Sequence, residues 1–452
     1  MMDWQSEILQ VYPEPEPAPF QPARITTRLV HTRTDDYHMI NQYTKIQKIG
    51  KGKHGSVYLC RDESGNESAM KRILKVNPQE KKMKSLKRIQ QRDTESGRAS
   101  KDQDNTFRKE IEILKNCNHP NIVRLLEAID DPTAKKAYLF QENLAGGQLL
   151  WQIDYGNEYR PILTLAQTRR IMKDLILGIE YLHHEGIIHR DIKPYNIIYT
   201  ADRRTVKLID FGIAHYMAPT ISSQSSNEPS SSSSRSKGKE RAVRPEAPSI
   251  DSSLFQPSDL LKRLGTPSFL APEIVWFQDD GPANQSAKPL LEPHRRLFTM
   301  PRTRPPITNA IDIWSLGVVF YGLLFGHLPF EVTADAFQNA YNSEYTVYNM
   351  ICTMDWEAEN FMGADDMLTG GRHPEDSKRE STQIIHLLDR MLQKNPENRI
   401  SITEIKANPW ILKDIPNASE WLQLTSPTAE TRTSSSWMKN ASSRFLKLMP
   451  GP

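Results

Sequence analysis

The run His189-Arg190-Asp191-Ile192-Lys193-Pro194-Tyr195-Asn196 restricts this chain more than any other stretch. It follows the apolar pair Ile187-Ile188, so a strand end delivers an acid, a lysine and an amide within a few positions. Phosphoryl transfer draws on such a set. An aspartate orients the attacking hydroxyl and accepts its proton, a cation steadies the γ-phosphate, and an amide oxygen holds Mg²⁺. His-Arg-Asp alone would be unremarkable in a surface loop. A second apolar stretch, Leu208-Ile209-Asp210-Phe211-Gly212, ends on another acid and argues against that plain reading. Asp191, Lys193, Asn196 and Asp210 are therefore the first candidates, with Asn196 and Asp210 as hard oxygen donors to Mg²⁺.

Composition sets only outer bounds. The 452 residues suggest two or three folding units, and 58 Lys and Arg against 55 Asp and Glu leave a balance of +3 that gives no argument for nucleic acid. Three cysteines, Cys60, Cys117 and Cys352, show neither metal spacing nor a disulfide framework, which fits a reducing compartment. No apolar run approaches a membrane span, so the expectation is a cytoplasmic protein with access to the nucleus.

Along the chain, residues 1–42 are polar and include Pro13-Glu14-Pro15-Glu16-Pro17, which reads as a flexible extension without a packed core. Tyr43-Thr44-Lys45-Ile46-Gln47-Lys48-Ile49 then alternates as a half-buried strand does. It runs into Gly50-Lys51-Gly52-Lys53-His54-Gly55, and Ser56-Val57-Tyr58-Leu59 restarts a strand. A glycine turn between two strands lets backbone N–H groups approach phosphates, whereas a Rossmann turn would be followed by a helix. Lys71, in Ser68-Ala69-Met70-Lys71, is placed to hold the α- and β-phosphates. Its partner is Glu110, on a helix whose Phe107, Ile111 and Leu114 share an apolar face; Glu112 competes but faces elsewhere. A polar insert over residues 76–105, basic at its start, reads as a solvated loop, with substrate docking as the sharper alternative.

Ala137-Tyr138-Leu139-Phe140 reads as a buried strand leading to Gln141-Glu142-Asn143-Leu144, where backbone groups of Glu142 and Leu144 would meet adenine and Gln141 would stand at the mouth of the back pocket. From Leu149 the chain is expected to turn helical, with Ile171, Leu175, Ile179 and Leu182 as a core stripe. Residues 218–258, with Ser230 to Ser234 unbroken, read as disordered, and order resumes at Leu264-Gly265-Thr266. Thr266 is placed to hydrogen-bond near Asp191 and Lys193, with a phosphorylation switch as the weaker alternative. A second insert, 278–306, is rich in Pro and Arg. Ile311 to Tyr321 is apolar all round and reads as a buried helix, with Asp312 bracing the backbone near His189 and Arg190. Arg399 is the natural partner of Glu273 in a buried bidentate pair, and Pro409-Trp410-Ile411 closes the fold. In the tail, 413–452, Trp437 and Phe445 flank basic residues, a pattern compatible with a calmodulin-target helix, with docking on the core or disorder as alternatives.

These motifs, from Ile49 to Arg399, resemble those of the eukaryotic protein kinases. The resemblance implies an α+β, two-lobed fold: a small, mainly β N-lobe over 43–143 and a larger, mainly α C-lobe over 144–412. It implies ATP and Mg²⁺ as cofactors, with Ile49, Gly50, Lys51, Gly52, Lys53, His54, Gly55, Ser56, Val57, Ala69, Lys71, Glu142, Leu144 and Ile198 around the nucleotide. Lys193 and Thr266 look like serine/threonine specificity. Ile40-Asn41-Gln42-Tyr43, the polar insert, Gly265 to Glu273 and Pro305 to Asp312 look like the calcium/calmodulin-dependent protein kinase kinase branch, particularly fungal members. That similarity implies a protein substrate, the activation-loop threonine of AMP-activated-type kinases. Lys262, Arg263 and Leu264 occupy places where a phosphorylatable residue often sits, so activity independent of an activation-loop phosphate is expected. A calmodulin-regulated downstream-type kinase is one alternative. A pseudokinase scaffold is another, disfavoured because Lys71, Asp191 and Asp210 are all present.

Overall fold

Short runs of β-forming residues before Tyr43 already pair into a sheet. The computed structural model describes residues 22–34, 37–52, 55–75, 98–154, 156, 159–217, 250–276, 303–331, 343–374, 376 and 378–427. Its main sheet contains β1 (Arg24–Thr26), β2 (His31–Arg33), β3 (His38–Ile40), β4 (Tyr43–Gly52), β5 (Gly55–Arg61), β6 (Glu67–Leu74), β7 (Leu125–Ile129) and β8 (Lys136–Glu142). The spatial order is β1-β7-β8-β6-β5-β4-β3-β2. β1 runs parallel to β7 at one side, and β3 runs antiparallel to β4 at the other. The segment before Tyr43 thus adds strands at both sides of the sheet, which corrects the expectation of unpacked chain for its described part.

Side chains fix this segment in place. Glu127, 2% exposed, accepts hydrogen bonds from Arg24 (2.7 Å), Gln42 (2.6 Å), the Tyr43 hydroxyl (3.0 Å) and Thr26 Oγ1 (2.5 Å). A buried carboxylate needs such partners, because desolvation without them is costly. Strand alternation gives β8 two faces: Leu139 enters the main core, while Tyr138 and Phe140 join Ile40, Tyr43, Tyr58 and Met70 in a second one. Tyr43 stacks on Phe140 with ring centroids 3.8 Å apart.

The larger, helical part contains α2 (Leu165–His184), α3 (Pro272–Val275), α4 (Ala310–Phe325), α5 (Ser343–Thr353), α6 (Glu380–Met391), α7 (Ile402–Lys406), α8 (Pro409–Leu412) and α9 (Ala418–Leu424); α1 (Arg98–Leu114) belongs to the first part. α1 includes residues 98–105, which the sequence assigned to a loop, while 76–97 lie outside the described residues. Helix does not begin at Leu149. A short hairpin (152–154 with 159–161) comes first, and a capping box of Thr164 and Gln167 starts α2. α4 is buried along nearly its whole length, so it sits at the centre of the helical core. Order extends beyond α8: Trp421 on α9, 3% exposed, packs with Leu177 and Ile415. Among the described residues no helix is long and apolar enough to cross a membrane. The arrangement is the two-lobed α+β fold expected from the motifs.

Candidate active site

The first cluster of charges forms where β6 faces α1. Phe107 and Leu114 anchor α1 in the main core, and this turns Glu110, 1% exposed, toward the sheet. Lys71 Nζ lies 2.8 Å from each Glu110 oxygen and 2.8 Å from Asp210 Oδ1. Burial opposes the charge on Lys71, but Glu110 and Asp210 outweigh it and hold the ammonium above its ordinary value. Glu112 faces a different neighbour, accepting a hydrogen bond from the Asp251 backbone N–H at 2.9 Å.

The second cluster is the loop after Ile188. Asp312, fully buried at the start of α4, accepts hydrogen bonds from the His189 and Arg190 backbone N–H groups, each at 2.9 Å, and from His183 Nε2 at 2.9 Å. Burial alone would raise the Asp312 carboxyl, yet these donors hold it below the ordinary range. On this brace, Asp191 Oδ2 accepts from Lys193 Nζ (2.8 Å) and Asn196 Nδ2 (2.9 Å), while Thr266 Oγ1 donates to Asp191 Oδ1 at 3.1 Å. Lys193 Nζ also donates to Thr266 Oγ1 at 2.7 Å. Two bonds join the clusters: the backbone pair Ile209 N–H to Asn196 O at 3.0 Å, and the His189 side-chain Nε2 with Ile209 O at 3.1 Å. Arg190 and Asp210 both hold left-handed backbone (φ 69° and 64°), a conformation that non-glycine residues keep only where surroundings impose it.

The donor set suits a hard cation. Asn196 spends its amide nitrogen on Asp191 O (2.8 Å) and Oδ2, so its carbonyl oxygen is the atom suited to metal, and Asp210 supplies a carboxylate. Among the described residues no group of three or more His, Cys, Asp and Glu side chains is placed to hold a metal.

The remaining candidates line up along the sheet. Gly50, Lys51 and Gly52 of β4 pair with Val57, Ser56 and Gly55 of β5, while Lys53 and His54 lie outside the described residues. A Cβ at Gly55 would stand 2.0 Å from Arg72 O, so the strand crossing requires glycine there. Ile49 is 47% exposed, Ala69 pairs with Gln141, and Val57 pairs with Lys71. Glu142 donates its N–H to Arg124 O, and its side chain is held by Arg124 N–H (2.8 Å) and Lys207 Nζ (2.7 Å). Its carbonyl is therefore the backbone atom suited to adenine. Leu144 packs on the main core, and Ile198 pairs with Gln148 and Lys207 on a short strand beneath. The Gln141 side-chain nitrogen is buried and finds no hydrogen-bond partner among the described residues.

A model of the protein kinase domain matches residues 43–234 and 251–411. The chain belongs to the protein kinase family. Serine/threonine-protein kinase ssp1 of Schizosaccharomyces pombe is 33% identical over 410 residues, covering 90% of this chain and 48% of the relative. SNF1-activating kinase 1 of Saccharomyces cerevisiae is 30% identical over 395 residues, covering 84% of this chain and 29% of its own. A calcium/calmodulin-dependent protein kinase kinase of Caenorhabditis elegans is 28% identical over 408 residues, covering 88% and 58%. The chain therefore spans between 29% and 58% of the length of these relatives. By name, these similar proteins are a serine/threonine-protein kinase, a SNF1-activating kinase and a calcium/calmodulin-dependent protein kinase kinase, in line with the branch that the motifs resemble.

Sequence reasoning missed part of the surroundings. Residues 250–262, within or beside the stretch read as disordered, form two 3-10 turns, Ser252–Leu254 and Pro257–Leu261, and bury Phe255. Residues 218–249 lie outside the described residues. Ile250, Leu254 and Phe255 in a polar region were the available signal. Of the second insert, 303–306 are described, and Arg304 donates to the carbonyls of Glu273 (2.7 Å) and Ile274 (3.0 Å) beside α3. The tail residues 428–452, with the Trp437–Met449 stretch, also lie outside.

Proposed function

We propose that this protein kinase transfers the γ-phosphoryl group of ATP to Ser or Thr hydroxyls of a protein substrate, and that its substrate is the activation-loop threonine of an AMP-activated-type kinase. The observation that carries the reading is the shared carboxylate of Asp191, held by Lys193, Asn196 and Thr266 and tied to the Lys71–Glu110–Asp210 cluster through Ile209, whose N–H donates to Asn196 O and whose carbonyl meets His189 Nε2.

Asp191 orients the substrate hydroxyl and accepts its proton, because its oxygens are fixed by donors on both sides. Lys193 carries the positive charge beside the moving phosphoryl. Lys71, kept charged by Glu110, positions the α- and β-phosphates, and Asn196 and Asp210 hold Mg²⁺. Bound Mg²⁺ supplies charge neutralisation on the phosphate oxygens. The glycine-bearing β4–β5 turn covers the phosphates, and the Glu142 carbonyl and Leu144 backbone receive adenine. Most of the acceleration comes from positioning and fixed charge.

SNF1-activating kinase 1 carries an upstream activity in its name, which supports the substrate assignment here. Three free, buried cysteines support a reducing, cytoplasmic location. The name of the Caenorhabditis relative supports a calmodulin contact at 437–449, tested by calcium-dependent binding of the full chain.

Transfer from radiolabelled Mg-ATP, followed by phosphoamino-acid analysis, tests the activity. The reading expects phosphoserine and phosphothreonine, with Asp191→Asn lowering kcat roughly 10²–10⁴-fold. Phosphotyrosine alone, or an active Asp191→Asn, contradicts it.

A further inference from the structure

Lys109 stands next to Glu110 on α1 and bonds across the molecule. Its Nζ lies 2.6 Å from Asp259 Oδ2, with both side chains about seven-eighths buried, and 5.6 Å from the centre of the Phe255 ring. Asp259 Oδ1 takes a second cation, Lys262 Nζ, at 2.7 Å. The Lys262 carbonyl in turn accepts a hydrogen bond from the Arg190 guanidinium at 3.0 Å, and Arg190 precedes Asp191. A single carboxylate therefore sits between the helix that presents Glu110 to Lys71 and the loop that presents Asp191.

The surroundings show that charge matters at this point. Burial disfavours a charged Asp259, but the hydrogen bonds and charges of Lys109 and Lys262 prevail and lower it to about 2. His215, whose ring meets Phe255 edge-on at 5.9 Å, is pushed down to about 4 by burial and by Arg190 and Lys109, so it stays neutral near pH 7. Arg190 is largely buried with its Nε unpartnered, and Asp259 and Asp312 are the acids that favour its charge. Without Asp259, Lys109 and Lys262 would lose the carboxylate they share, and Asp312 would remain as an acid favouring the charge on Arg190. Gly265 holds the following turn against the same loop: its φ is +128°, and a Cβ there would lie 3.1 Å from Arg190 O.

We propose that Asp259 is a positioning residue, a fixed negative charge that couples the placement of Glu110 to the placement of Asp191 through Lys109 on one side and Lys262 and Arg190 on the other. The coupling rests on the phosphotransfer reading above. It gives that reading a regulation: the two halves of the site are held together by a genetically encoded carboxylate, with no phosphate group required on the 250–276 segment. The span of 150 residues between Lys109 and Asp259 means that the contact forms only when the segment docks on α1.

The test uses the full chain after phosphatase treatment, with Asp259→Asn, Lys109→Met and Asp259→Glu. Three quantities are read: kcat and KM for ATP, melting temperature, and hydrogen exchange of the 107–114 and 189–196 backbone. Asp259→Asn and Lys109→Met are expected to lower kcat/KM for ATP roughly ten-fold or more, the scale of one charge-assisted hydrogen bond. Faster exchange in both backbone stretches should accompany the loss. Asp259→Glu, which keeps the carboxylate for both lysines, should retain most of the activity. An Asp259→Asn enzyme that matches the parent in kinetics and exchange overturns the proposal. So does an Asp259→Glu enzyme as impaired as Asp259→Asn, or a parent inactivated by the phosphatase. If the parent transfers no phosphate at all, the phosphotransfer reading falls, and the exchange data decide the coupling independently.

Discussion

Arg399 and Glu273 show how much rests on single contacts. Both side chains are fully buried, with two parallel bonds of 2.7 and 3.0 Å, and Arg399 also donates to Ala310 O at 2.7 Å. Removing one partner strands a buried charge, so Arg399→Ala is expected to cost about 3–5 kcal/mol, seen as a lower denaturant midpoint at unchanged slope. Gln141 presents the opposite case, since its buried side-chain nitrogen has no partner among the described residues. Gln141→Leu removes that desolvation cost and is expected to raise the melting temperature while sparing phosphotransfer; a lower melting temperature would show that the amide has a partner in solution. Lys71, Glu110, Asp191 and Asp312 were legible because each lies at a set distance from a recognisable strand, loop or helix. Asp259 was not. Its identity as a partner of Lys109 depends on how a distant segment packs, and nothing near Asp259 in the sequence carries that information.

At the scale of elements, the segment before Tyr43 changes the account of the small lobe. Strands β1 to β3 have three residues each, too short to show alternation, and β1 and β2 are mostly exposed. What orders them is Glu127 on β7, together with apolar contacts of Ile40 and Tyr43. Glu127→Ala leaves Arg24, Gln42, Thr26 and the Tyr43 hydroxyl without their acceptor and is expected to destabilise the lobe by about 1–3 kcal/mol. Limited proteolysis should then cut within residues 22–42 faster than in the parent, and unchanged cleavage would refute the strapping role. On α2, burial raises the Asp174 carboxyl to about 7 from 3.8, although it accepts from the Val206 backbone N–H at 2.8 Å. Between those values the folded chain keeps a proton that the unfolded chain has lost, so stability falls as pH rises through this window and levels off above it. Asp174→Asn should flatten that part of the pH–stability curve, and a retained slope would assign it to another group. The disordered reading of 218–258 failed at its end for a related reason: Phe255 becomes buried only when α1 and the 215–216 strand are already there to receive it.

At the scale of the whole molecule, the fold brings residues from Lys71 to Thr266 into one continuous network. Its order was readable in the motifs, because the protein kinase family carries its chemistry in short, spaced runs. The inserts and the tail were not readable in the same way, since polar composition describes solvation and leaves docking undetermined. The most direct measurement is radiolabel transfer from Mg-ATP to a purified catalytic subunit of an AMP-activated-type kinase, with Asp191→Ala in parallel. The account predicts label on the subunit's activation-loop threonine and none with Asp191→Ala. Label on generic substrates alone would contradict the upstream assignment, and equal label with Asp191→Ala would contradict the site itself.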